Sequence, residues 1–63
     1  MNYEIALAAA GILYKIESLD RLNDELEQIR LNLEDSDEEN IILETIEKIN
    51  AKQDELRKKI KEL

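Results

Sequence analysis

The side chains in this sequence that could do chemistry are its carboxylates, because the 63 residues include 16 Asp and Glu but no His and no Cys. A catalytic carboxylate pair needs an enclosing pocket that shifts its pKa values. A metal site in a helical bundle needs inward Glu residues with a Glu-x-x-His motif. The acidic run Asp35–Glu39 lacks the length and the central Gly of an EF-hand loop. The sequence therefore predicts no enzyme, no cofactor and no metal site.

Two apolar seams, separated by a seven-residue polar gap from Glu34 to Asn40, predict the elements that position these charges. Steps of three and four residues put each seam on one stripe of an α-helix. The first seam consists of Ile5, Ala8, Ala9, Ile12, Ile16, Leu19, Leu22, Leu26, Ile29 and Leu33, and the second of Ile42, Ile46, Ile49, Gln53, Leu56, Ile60 and Leu63. The gap would leave one continuous helix without core contacts for two turns. We therefore predict an all-α, antiparallel two-helix hairpin rather than a single long helix.

The predicted domain is a single hairpin over residues 1–63, with helix 1 at about 3–34, the turn at about 35–37 and helix 2 at about 38–63. Asn2 is a plausible N-cap for helix 1. For helix 2, Ser36 and Glu39 have the spacing of a capping box, and Asp35 with Glu38 offers the same geometry one residue earlier. Folding about Ser36 pairs positions whose numbers sum to about 72, at a constant rise per residue in both helices.

A second apolar stripe follows the first half of helix 1, nearly opposite the seam. We call it the open-end stripe; it consists of Tyr3, Leu7, Ala10 and Tyr14. A helix that is apolar nearly all round is buried on all sides, and one partner helix cannot cover both faces. The stripe therefore predicts a second contact, which the sequence leaves open between a second copy of the chain, a different protein and, less favoured, a membrane surface.

Polar residues add two further expectations. Gln53 occupies a core position in an Ile/Leu seam, where a polar residue typically fixes register or oligomeric state. Asp20, Asp24 and Glu27 form an acidic face of helix 1 that could contribute to partner binding.

Composition limits the partners and the compartment. A net charge of −7 argues against binding to phosphate backbones, so we expect no nucleic-acid partner. The absence of Cys is consistent with a cytoplasmic chain. The uncharged segment Ile5–Tyr14 is too short for the ~20 residues that span a bilayer, so we expect no membrane partner. A chain of this size rarely gains more than about 3–5 kcal/mol from its own core, which predicts a homodimer, most simply a four-helix bundle.

In length, seam spacing and its acidic turn from Leu33 to Glu39, the chain resembles the Rop (Rom) plasmid copy-number regulators. The resemblance implies a two-helix hairpin that dimerises into a four-helix bundle. It does not extend to RNA binding, because the chain has no Phe and helix 1 carries acids such as Glu17 and Glu25.

The sequence thus predicts a small acidic protein-interaction module from a bacterium or a phage. It would act as a regulator or inhibitor by binding an unidentified protein through the open-end stripe. The alternatives are a purely structural homo-oligomerisation element and an acidic nucleic-acid mimic that blocks a basic site.

Overall fold

The computed structural model describes residues 3–63, which form two helices that pack against each other. Helix α1 spans Tyr3–Leu31 and helix α2 spans Ser36–Lys61. No strand occurs among these residues. The predicted all-α hairpin is therefore confirmed. The predicted N-cap, Asn2, lies outside the described residues.

The turn between the helices lies earlier than predicted. Helix α1 ends at Leu31 rather than near Glu34, because the Asn32 side-chain amide donates to the carbonyl oxygen of Gln28 at 2.9 Å. That oxygen is the one that the Asn32 backbone amide would bind if the helix continued. The Asn32 backbone instead donates to Ile29 at 3.0 Å, which tightens the last turn.

Asp35 caps helix α2. Its Oδ1 accepts hydrogen bonds from the backbone amides of Asp37 and Glu38, at 2.8 and 3.3 Å. These two donors have no partner within the helix, so the carboxylate satisfies them at the positive end of the macrodipole. Ser36 is therefore the first residue of the helix rather than its cap. Of the two capping positions that the sequence allowed, the earlier one is observed.

The core is small and lies along the seam between the helices. Ile16 of α1 and Ile49 and Leu56 of α2 are buried, together with Gln53. The hydrogen bond between Asn23 and Asn50 and the ion pair between Arg30 and Glu39 join positions close to the predicted register. The two helices therefore run antiparallel as predicted, and form a rod of 54 × 15 × 9 Å. Neither described helix combines the length and the apolar character needed to cross a membrane.

Candidate protein-interaction surface

The open-end stripe lies on the outer surface of α1. Tyr3, Leu7 and Tyr14 are 61, 57 and 67% exposed, and Ala10 is also exposed. Leu13 lies beside them and is half exposed. The structure thus places all four predicted residues on one continuous surface of a single helix, and none of them is buried by α2.

The stripe faces away from α2, and the antiparallel register exposes the first turns of α1 further. Helix α2 ends at Lys61, and the register brings Ile60 and Lys61 beside the segment Ala9–Ile12 of α1. Residues Tyr3–Leu7 therefore lie beyond the last turn of α2. Even Ile5, which is part of the first seam, is 42% exposed for this reason. The open end of the hairpin is thus apolar around most of its circumference and in contact with water.

Gln53 joins the two helices from within the seam. It is only 3% exposed, and its Nε2 donates to the backbone carbonyl oxygen of Ile16 at 3.0 Å and to Oδ1 of Asp20. The buried amide is therefore bonded within the hairpin. This contact fixes the register of α2 against α1, whereas the sequence left open whether Gln53 sets register or oligomeric state.

Further polar contacts continue from Gln53 toward the turn. Asn23 Nδ2 donates to Asn50 Oδ1 at 2.9 Å, whereas Asn23 Oδ1 is buried and has no hydrogen-bond partner among the described residues. Arg30 donates to Glu27 at 2.8 and 3.1 Å and lies 3.8 Å from Glu39 across the seam. The hydrogen bond to Glu27, followed by the attraction of its charge, raises the pKa of Arg30 above its ordinary value. We call this side of the seam the polar edge.

The role of Gln53 can be tested by replacing it with Leu. We expect Gln53→Leu to raise the free energy of unfolding by about 0.5–1 kcal/mol, because an apolar side chain of similar size replaces an amide between apolar neighbours. Asp20 is exposed and can return to water, so no buried group is left without a partner. Register specificity should fall at the same time, visible as broadened or doubled amide resonances in NMR spectra. A less stable variant with one sharp set of resonances would contradict this account.

The opposite side of the seam carries two shallow apolar grooves, and we call it the grooved face. The open-end groove, of about 320 Å³, is lined by Tyr14, Lys15, Ser18, Leu19, Lys52 and Leu56. The turn-end groove, of about 290 Å³, is lined by Ile29, Leu33, Glu38, Ile41 and Ile42. At 100° per residue, the groove-lining positions of each helix lie on one side of the seam and the polar-edge positions lie on the other.

The sequence did not reveal the grooved face. Leu22 and Ile29 belong to the first seam, and we expected them to face α2; they remain 41 and 48% exposed on this side. They are more exposed than seam residues are expected to be, because two helices in contact cover only a narrow strip of each other. The available signal was the apolar width of the two helices: Ala8 and Ala9 are both in the first seam, and Ile41 lies directly beside Ile42 of the second.

The predicted acidic face is only partly free. Of its three residues, Asp20 accepts a hydrogen bond from Gln53 and Glu27 pairs with Arg30, so both carboxylates already have partners within the chain. Within residues 3–63, no group of three or more potential ligands is arranged to hold a metal ion.

Comparison with known proteins gives no relative for this chain: no family model, no curated protein and no solved structure matches it significantly.

Proposed function

We propose that this protein is a small helical interaction module that binds a partner protein through the open-end stripe, and that it acts as a regulator or inhibitor by doing so. The observation that carries this proposal is the exposure of Tyr3, Leu7 and Tyr14 on one face of a helix that is already apolar on its other face. Isolated exposed apolar residues are ordinary, but a contiguous patch on a small protein usually marks a contact site.

The composition of the stripe suits a protein partner. Two Tyr side chains offer large, rigid contact area with a polar hydroxyl at the rim, and tyrosines of this kind are enriched at binding hot spots. Leu7 lies between them along the helix, where its burial would contribute about 1.5–3 kcal/mol. A groove on the partner could hold this helix by its residues at steps of four and three, as amphipathic helices are commonly held.

We further propose that the hairpin forms a homodimer, as a four-helix bundle. The grooved face supports this, because it leaves apolar seam residues such as Leu22 and Ile29 half exposed in the isolated hairpin. The alternative of a nucleic-acid mimic, which would use the carboxylates of helix 1, has less support, since two of them, Asp20 and Glu27, are engaged within the chain.

The proposed function can be tested by affinity capture with matched variants. The protein would be immobilised and exposed to a lysate of its source organism, and retained proteins would be identified by mass spectrometry. We expect at least one protein to be retained by the wild type and lost with Leu7→Glu, because a carboxylate at the centre of the stripe would be buried without a partner. A charge at such a position should lower the affinity by about a hundredfold or more.

The matched control is Leu31→Glu. Leu31 is also an apolar residue of α1 and is 67% exposed, but it lies at the other end of the helix. This variant should retain the same protein as the wild type. Capture that is unaffected by Leu7→Glu, or lost equally with both variants, would contradict a role for the open-end stripe.

A further inference from the structure

We propose that a second copy of the chain covers the grooved face, with the two hairpins head to tail, so that the open-end groove of each copy lies against the turn-end groove of the other. This inference rests on the proposed homodimer and specifies its contact surface and its orientation.

The hairpin exposes more surface than a compact protein of its mass, and the excess is about the area that one partner of its own size would bury. The chain exposes 5075 Å² of solvent-accessible surface, whereas a compact monomer of 7.4 kDa exposes about 4,200 Å². The excess is roughly 900 Å², close to the ~800 Å² that each partner buries in a standard protein interface. The excess arises because the rod is a single layer of two helices. Stacking a second such layer on it would remove this excess.

The grooved face is the side on which that layer would fit. The groove residues Leu19, Leu33 and Ile42 and the half-exposed residues Leu22 and Ile29 form an apolar strip along the length of the hairpin. The polar edge is different, because its amides and charges already bond to one another across the seam. Burial of the grooved face therefore removes apolar surface from water without breaking hydrogen bonds.

The charges on the grooved face set the orientation. Lys15 and Lys52 line the open-end groove, and Glu38 lines the turn-end groove. In a head-to-tail dimer, the two-fold axis brings the lysines of each copy to the Glu38 end of the other. If both turns lay at the same end, Lys15 of one copy would instead approach Lys52 of the other. Like charges in contact across an interface are unfavourable, so the head-to-tail arrangement is preferred.

This arrangement leaves the open-end stripe largely accessible. With the two grooves superposed, the partner's turn reaches about as far as Tyr14 of α1, by the rise of the helix. Tyr3, Leu7 and Ala10 therefore extend past the partner hairpin, whereas Tyr14, which lines the open-end groove, is shared with the dimer interface. One surface of the protein would hold the two copies together, and another would remain available for a different protein.

A charge-swap experiment tests the orientation. We expect Glu38→Lys and Lys52→Glu each to weaken dimerisation by about tenfold, because each variant places like charges together twice by symmetry. An equimolar mixture of the two variants should recover most of the lost affinity, since both contacts between positions 38 and 52 in the mixed dimer again join opposite charges. Asp37→Lys and Lys58→Glu are the matched controls, because they make the same charge changes outside the grooves and should have little effect. If Lys52→Glu instead strengthens dimerisation, the turns lie at the same end, because the variant then places a carboxylate beside Lys15 of the other copy.

A distance measurement tests the orientation independently, because it does not depend on how strongly single charges affect the dissociation constant of the dimer. The chain has no Cys, so Ser36→Cys can carry a single spin label at the turn. A head-to-tail dimer places the two labels about 30–40 Å apart, given the rise of 1.5 Å per residue, whereas turns at the same end place them within about 20 Å. The short distance would overturn the orientation and leave the homodimer intact. Sedimentation that shows only monomer at every concentration would overturn the homodimer itself, while the capture experiment would still test the open-end stripe.

Discussion

Replacing Ile49 by Glu is expected to unfold both helices. Ile49 is 8% exposed and lies in the middle of the seam on α2. A carboxylate there would lose its hydration without gaining a partner, at a cost of several kcal/mol. A core of this size supplies only about 3–5 kcal/mol, so the cost exceeds the stability available. Neither helix is expected to persist once the seam opens, because helical stability in proteins comes mainly from tertiary packing.

Circular dichroism at 222 nm would measure this loss of helix. The control is Ala51→Glu, which introduces the same side chain two residues away at an exposed position of α2. This control should keep the helical signal and the melting temperature of the wild type within a few degrees, as is usual for surface substitutions. A helical and cooperatively melting Ile49→Glu variant would show that the seam is not the core.

Replacing Ile29 by Glu is expected to dissociate the homodimer. Ile29 is 48% exposed in the hairpin and lines the turn-end groove, so the second copy would complete its burial. Two-fold symmetry places two such carboxylates in the interface, among apolar side chains, and Lys15 and Lys52 of the other copy are already paired with Glu38 there. The effect on dimerisation should therefore be much larger than the effect on the hairpin, where the side chain can still reach water.

The dependence of the melting temperature on protein concentration would report this change. Because dimerisation stabilises the folded state by mass action, the wild type should melt at higher temperature as its concentration rises. The Ile29→Glu variant should melt at a lower temperature that no longer depends on concentration. Leu31→Glu, two residues along the same helix and outside both grooves, should behave like the wild type. A concentration-dependent melt that survives Ile29→Glu would exclude the grooved face as the dimer interface.

Much of the fold could be predicted from the sequence, because two helices of strict periodicity leave few ways to pack. The polar gap located the turn, and the register that follows from it agrees with the Asn23–Asn50 contact. The helix ends were less well predicted. They depend on individual hydrogen bonds, such as those of Asn32 to Gln28 and of Asp35 to the first turn of α2, and alternative donors and acceptors lay one residue away.

The two candidate surfaces differ in how far they could be predicted from the sequence. The open-end stripe could be predicted because its four residues follow helical spacing on a face that a single neighbouring helix cannot reach. The grooved face could not, because periodicity places Leu22 and Ile29 in the seam without saying which side of the seam α2 covers. The sequence also left open whether Gln53 forms its hydrogen bonds within the hairpin, since a seam position alone does not identify the acceptors of its side-chain amide. In the structure the acceptors are the carbonyl oxygen of Ile16 and the carboxylate of Asp20.

The central claim is that the open-end stripe binds its partner by burying apolar surface, and the salt dependence of binding tests it most directly. The dissociation constant of the captured partner would be measured by titration calorimetry at low and high NaCl concentration, from about 50 mM to 1 M, a range over which salt screens exposed charges strongly. An apolar contact through Tyr3 and Leu7 predicts a change of less than about threefold, because high salt does not weaken apolar burial. An affinity that falls by a hundredfold or more over this range would mean that the acidic residues hold the partner, and would contradict the account.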